Sequence, residues 1–547
     1  MSRSEKLYFL LTFGIFGFLY FHMSQNMLQI KPDGWYVGHI NLYGDLVFHL
    51  TLINKFLSSN KFVIDNPIMA GTKVGYPILA DLITAQIARV TNLSFALFIT
   101  TFSIGLLGIY TARLFIKNFF KNEKIVFLSL LLFFVNGGFG FYYFFQDLFF
   151  SQKPLLKFLT SLPRQYTDIK ENGYWWINTY LAYFLPQRSF LFVFPLTLVV
   201  LILLYRGAKA NRRKYFFLAG LLSGVLPLVQ AHSLFFVFLI SLMVCPLSIL
   251  KSKNQKAMLG NWLIFALITA FLSVPILTAI APSQNFLHFI AYKPGWTAGE
   301  NIIWFWLKNL GLFAPMLVIS LIWLFKKNKN LFYIYLPFLA VFILSNIFIF
   351  QPWDFDNSKL LVYWFFASCI VVAYFLYDQF FLETFFKKIA GVVIVFLMIF
   401  AGSIDIFRTF TPATNYRIFS NQDLEVADNI KKATSKDSIF VTASNHNNPI
   451  AAISGRSIFL GFAGWLWSHG VDYSQREKDV RLIYLGGQES ESLIKQYGIN
   501  YVTIGPQERA QFSINESYFQ KYPSLTPGEG WQIIDVSSIW TNVDRQN

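Results

Sequence analysis

Apolar runs of membrane-spanning length follow one another from residue 7 to residue 405, and every second run closes on a cluster of lysine and arginine. A helical span takes about 20 apolar residues, and on that measure the chain holds about eleven. They fall at 7–23, 95–116, 125–142, 189–205, 215–231, 233–250, 260–281, 303–325, 331–350, 360–378 and 389–405. The basic ends are Lys117, Lys121 and Lys124; Arg206 to Lys214; Lys251 to Lys256; Lys326 to Lys329; and Lys387 with Lys388. Basic residues gather in cytoplasmic turns. Placing each of these clusters inside sets the N-terminus in the cytoplasm and the loop 24–94 outside. Only 14% of residues are charged, against about 25% in soluble domains, and 63 of the 547 are Phe. Membrane lipid must cover such a surface. The net charge of +16 therefore reads as membrane topology, with no nucleic-acid partner. Cys245 and Cys369 both lie within apolar runs and make no disulfide framework.

Residues 76–91 are apolar enough to tempt a twelfth span, but they carry Asp81 and Arg89. A crossing there would invert every later basic turn, so an amphipathic helix in the outer interface is the expectation. From residue 411 the composition turns soluble. Helical patterns at 421–435 and 489–497 alternate with strand patterns at 438–442 and 501–504. The fold class expected is an α-helical polytopic membrane domain, 1–410, followed by a small extracytoplasmic α/β domain, 411–547. The setting is the plasma or inner membrane.

The middles of the spans after the first lack Asp, Glu, Lys and Arg. An ion-coupled transporter needs charges there, so the chemistry belongs at the outer face. In loop 24–94, Asp45 and His49 stand four residues apart and share one helix face. The plainer account of Asp45 is an N-cap opening a helix to about Leu57. Arg188, at the outer mouth of the fourth span, either snorkels to headgroups or holds a phosphate. The short loop Gln351–Lys359 packs Asp354, Asp356 and Lys359 against the membrane surface, where Lys359 meets a lipid phosphate or is merely anchored by one of the acids. His232 is either a site residue or a helix-end cap. Trp175 and Trp176 read as interface anchors. The motifs 444–449 and 464–470 set tryptophans beside Asn and His, which suits sugar stacking or docking onto the membrane part.

An outer-loop acid opening a helix (Gly44-Asp-Leu-Val-Phe-His49), then an amphipathic helix and a span ending Arg113-Leu-Phe-Ile-Lys117, resembles the GT-C membrane glycosyltransferases. The resemblance covers about residues 1–405. It implies a polyprenyl-phosphate-linked sugar donor, a glycan, lipid or protein acceptor, and inverting transfer with Asp45 as base. Lys359 and Arg188 would stabilise the leaving phosphate, with His49, His232, Asp354 and Asp356 also binding substrate. The family often pairs two adjacent acids; Asp45 has no acidic neighbour, and Asp33 is the reserve candidate. A divalent metal ion is the one cofactor the resemblance admits. The rival readings are an O-antigen-type polymerase or ligase, which should lean on outer-loop arginines, and a non-enzymatic transporter or assembly scaffold.

Overall fold

The computed structural model describes residues 2–59, 65–280 and 290–541. The stretch 61–73, whose Asn-Pro and Ala-Gly-Thr sequence reads as turn-rich, therefore begins outside the described residues. The membrane part is built from α1 (Arg3–Gln25), α2 (Ile40–Ser58), α3 (Leu79–Val90), α4 (Leu93–Lys117), α5 (Glu123–Phe134), α6 (Phe141–Ser151), α7 (Leu155–Leu159) and α8 (Arg188–Ala210). It continues through α9 (Arg213–Val225), α10 (Ala231–Lys251), α11 (Gln255–Ile280), α12 (Ile302–Leu310), α13 (Phe313–Lys327), α14 (Lys329–Ser345), α15 (Ser358–Leu376) and α16 (Phe385–Arg408). Strands are β1 (Gln29–Lys31), β2 (Gly34–Val37), β3 (Ala291–Tyr292), β4 (Phe348–Ile349), β5 (Tyr416–Ser420), β6 (Ile439–Val441), β7 (Ser457–Ile458), β8 (Tyr501–Ile504), β9 (Ser524–Gly528) and β10 (Trp531–Asp535).

Among the described residues, seven helices are long and apolar enough to cross a membrane: α1, α4, α8, α10, α11, α16 and the run Asp354–Phe381 around α15. The chain is a multi-pass membrane protein. Helix α3 is only 12 residues long, about 18 Å at 1.5 Å per residue, too short to cross the hydrocarbon.

Four expected spans take other forms, the ninth as the 17-residue α14. The third stops at Phe134 because the chain unwinds at Asn136-Gly137-Gly138. There Asn178, from the second outer loop, donates to the carbonyls of Phe134 (3.1 Å) and Asn136 (3.0 Å). Those bonds occupy acceptors that a continuing helix would have used. Residues 176–185 accordingly dip into the bundle and are buried. Trp176 is no interface anchor: it is buried against Phe365 (5.4 Å between ring centres) and Trp306 (5.8 Å). The eighth span is two helices, α12 and α13, meeting at 98° across Gly311, whose φ of +60° favours glycine. The fifth, α9, has 13 residues and ends before Pro227.

The basic turns share one end of the bundle. Arg206 Nε donates to Asn118 (3.0 Å), Asn261 donates to Asn211 (2.8 Å), and Lys327 pairs with Asp378 (3.3 Å). At the other end, Lys73 Nζ donates to the carbonyl of Thr278 (2.7 Å), joining the first loop to the end of α11.

The C-terminal α/β unit carries a five-stranded sheet in the order β7-β6-β8-β10-β9. Strand β6 runs parallel to both neighbours, and β10 antiparallel to β8 and β9. Its observed helices Asn421–Ala433 and Gln488–Tyr497 sit where the periodicity put them. The unit does not stand apart from the membrane part. Strand β5 pairs antiparallel with β2, and a side chain at Gly34 would run into the Phe419 carbonyl. Gly455 approaches α2 just as closely: an added Cβ would meet the Asn54 carbonyl at 2.5 Å. Asn54 in turn donates to the Ala452 carbonyl (2.7 Å). The C-terminal unit is thus a cover fastened over α2.

Candidate active site

Helix α2 begins five residues before Asp45. His39 is its N-cap, with Nδ1 accepting from the Asn41 amide (3.1 Å) and Nε2 against the Gln165 amide (3.0 Å). Burial, with Arg408 beside it, holds the His39 imidazole down at about 3. It stays neutral and keeps the lone pair that a cap requires. The cap reading of Asp45 is thereby excluded: the acid lies in the second turn, where its side chain has no orphan amide to serve.

Among the described residues no donor lies within hydrogen-bond distance of the Asp45 carboxylate, although the residue is only partly exposed. Burial pushes this carboxyl up from its ordinary value. The charges of His49 and Lys359 pull it back, and Asp356 adds to the rise. Those influences locate the site. Asp356 and Lys359 come from the turn opening α15, paired at 3.0 Å. An unpaired acid therefore lies within electrostatic reach of the Lys359–Asp356 pair.

The second charged group is fully buried. His49 Nδ1 lies 2.9 Å from Asp81 Oδ2 and 3.1 Å from Oδ1. Arg188 Nε stands 3.4 Å from Asp81 Oδ1, and both side chains are inaccessible to solvent. The guanidinium also donates to Thr84, to Thr100 (3.1 Å) and to Thr101 (3.4 Å). This corrects the expectation for Arg188. It neither reaches headgroups nor offers a face to a phosphate: the side chain is fully enclosed, with its Nη atoms donating to three threonines and its Nε directed at Asp81 as an ion pair without a hydrogen bond. A buried guanidinium without a carboxylate is prohibitively costly, and Asp81 supplies that carboxylate.

The other expected residues divide. His232 sits against Gln351, within electrostatic reach of Lys359 and Asp356. Asp354 is turned aside: it pairs with Lys293, and its carbonyl accepts from Trp296 Nε1 (2.8 Å). Asp33 lies on the exposed β1–β2 hairpin with Tyr36 and Arg417 and takes no part in this group.

Asp81 reads in the sequence only as an obstacle to a span, and His446 and His469 only as members of the motifs 444–449 and 464–470; their contacts with α2 are not legible there. His446 Nε2 contacts the Gly44 carbonyl (2.8 Å), and its ring stacks on Tyr43 (5.4 Å, 10°). His469 packs against Phe48 (4.9 Å) and Tyr76 (4.8 Å). Burial, reinforced by Lys359, pushes His469 down to about 3, so it is neutral near pH 7. Its Nδ1 is buried with no partner among the described residues. Trp465 packs on His446 (4.7 Å) and Phe48 (5.4 Å). Of the two readings of 444–449 and 464–470, docking is the one these contacts display.

For a divalent ion the donor set is a poor fit. Among the described residues no three His, Cys, Asp or Glu side chains converge as ligands, and Asp356 is already tied to Lys359.

No protein-family model and no curated protein matches the sequence. The fold, however, is that of known enzymes. The chain is similar in structure to ArnT from Cupriavidus metallidurans bound to undecaprenyl phosphate. That match has a TM-score of 0.53 and 10% identity, over 97% of this chain and 99% of that one. The apo form of ArnT gives the same score over 98% and 99%. The oligosaccharyltransferase of Archaeoglobus fulgidus, tethered with an acceptor peptide, matches at 0.51 and 10% identity, over 92% of this chain and 70% of that one. All three are GT-C membrane glycosyltransferases, and the fold of this chain is the GT-C fold.

Proposed function

We propose that this chain is a membrane glycosyltransferase that moves a sugar from a polyprenyl-phosphate donor to an acceptor hydroxyl at the outer face of the membrane. The observation that carries the reading is the unpaired Asp45 carboxylate, within electrostatic reach of the Asp356–Lys359 pair, on a fold shared with a protein bound to undecaprenyl phosphate. Fold alone does not assign a reaction; the chemistry of these side chains supports it. Asp45 takes the proton of the acceptor hydroxyl. That oxygen attacks the anomeric carbon from the side opposite the phosphate. The carbon–oxygen bond to the phosphate breaks with its electron pair, and Lys359 meets the charge that grows on the departing oxygen. Configuration at the anomeric carbon inverts. The polymerase reading finds no support in the arginines: Arg188 is enclosed with Asp81, and Arg164 is bidentate on Asp147 (2.7 and 2.8 Å).

Two experiments test the parts. In lipid nanodiscs, Lys359→Ala should weaken undecaprenyl-phosphate binding about 10- to 150-fold, the roughly 1.5–3 kcal/mol of a charge-assisted hydrogen bond. Unchanged affinity would leave Lys359 as an anchor for Asp356. Orientation is tested in a Cys245→Ala, Cys369→Ala background. Glu489→Cys should react with a membrane-impermeant maleimide on intact cells, and Lys253→Cys should not, as basic turns face inward. Labelling of the 253 site alone would reverse the topology.

A further inference from the structure

One edge of the His49 ring is committed and the other is not. Nδ1 contacts both oxygens of Asp81, while Nε2 has no hydrogen-bond partner among the described residues. A carboxylate on Nδ1 fixes the tautomer, because Nδ1–H donates to it and the lone pair is left on Nε2. Asp81 cannot turn away. It is enclosed, and Arg188 Nε stands 3.4 Å from Oδ1, the oxygen that His49 also contacts. The Arg188–Asp81 pair alone would balance the charge there, so the imidazole is an addition that the pair does not require. His49 stands one turn after Asp45 on the same face of α2.

The local charges point the same way. Among the described residues, Asp45, Asp81 and Asp356 are balanced by two fixed cations, Arg188 on Asp81 and Lys359 on Asp356. The group therefore carries one negative charge in excess until a proton enters. A base that has accepted the hydroxyl proton must also lose it before the next turnover, and this acid lies under the cover of the C-terminal unit.

We propose that Asp81 is a positioning residue holding His49 in the Nδ1–H form, and that His49 Nε2 receives from Asp45 the proton removed from the acceptor hydroxyl. The proposal rests on the reading of Asp45 as base. The steps balance. The acceptor O–H proton passes to Asp45, the hydroxyl oxygen bonds to the anomeric carbon, and the phosphate leaves with its electron pair. The Asp45 proton then moves to Nε2, giving an imidazolium paired with Asp81 and restoring the Asp45 carboxylate. Release of that proton to water returns His49 to its starting form.

Two measurements test this, one of which needs no turnover. Solid-state NMR of ¹⁵N-histidine-labelled protein in lipid should show one signal set in the Nδ1–H form that disappears in His49→Gln. In Asp81→Asn that signal should split between tautomers. A parent His49 in the Nε2–H form would overturn the proposal. In transfer assays with a panel of undecaprenyl-phosphate-linked monosaccharides, His49→Gln should lower kcat about 100-fold, at the low end for proton-transfer groups, with the donor KM unchanged. Added imidazole should restore part of the rate to His49→Gly. Should Asp81→Asn fail to fold, His49→Gln still carries the test, since it leaves the Asp81–Arg188 pair intact. A His49→Gln enzyme within about threefold of the parent, beside an inactive Asp45→Asn, removes the relay and keeps the base. An active Asp45→Asn removes the reading beneath both.

Discussion

Arg188→Met is expected to destabilise the protein by about 3–5 kcal/mol, the usual result of stripping one partner from a buried ion pair. Asp81 is inaccessible to solvent and has Arg188 as its fixed cation, so removal of the guanidinium leaves a carboxylate with no water to turn to. Three threonine hydroxyls, on Thr84, Thr100 and Thr101, lose a donor at the same time. The lesion links α3, α4 and α8, which those side chains join. Arg188→Lys should recover only part of the loss, because a single ammonium cannot span Asp81 and three hydroxyls as a planar fork does. The double variant Arg188→Met, Asp81→Asn should be more stable than Arg188→Met, since the unpaired charge is gone. Thermal melting of the purified variants in one detergent checks the series. A Met variant that melts with the parent would mean that the buried network contributes nothing to stability.

Asp45→Asn is expected to reduce sugar transfer at least about 100-fold, the lower end of what a positioned general base contributes. The amide matches the carboxylate in size, and the helix has no need of the charge, since His39 and not Asp45 caps α2. Expression and melting should therefore stay at parent values. The carboxyl is raised from its ordinary value of 3.8 by burial, and a base works only when deprotonated. Activity should accordingly fall with decreasing pH from a higher point than an ordinary aspartate would set. An acid limb at or below that ordinary value would mean that some other group limits the rate.

Much of the membrane architecture was readable from lysine placement. The long helices lie where the apolar runs put them, and the basic turns meet at one end through Asn118–Arg206 and Lys327–Asp378. Residues 76–91 form the short α3 for the reason given by Asp81 and Arg89. Arg89 donates to the carbonyls of Phe56 and Ser59, at the end of α2. Apolarity does not report helix continuity, however. The break at Asn136–Gly138 depends on Asn178, some 40 positions along the chain, and no local window contains both. The same limit hid half of the site. Asp45, His49, Asp356 and Lys359 could be singled out by residue type and loop position. In the sequence Asp81 reads only as an obstacle to a span, although a carboxylate on an otherwise apolar helix demands a partner, and His49 and Arg188 are the candidates at hand. The roles of His446 and His469 follow from the C-terminal unit folding back over α2, a long-range contact that composition does not carry.

The most direct test of the account measures transfer and donor occupancy on the same Asp45→Asn preparation in lipid nanodiscs, with undecaprenyl-phosphate-linked monosaccharides as donors. The account predicts donor binding close to that of the parent and product formation lower by at least about 100-fold. Parent-level product from the Asp45→Asn variant at equal donor occupancy would contradict it.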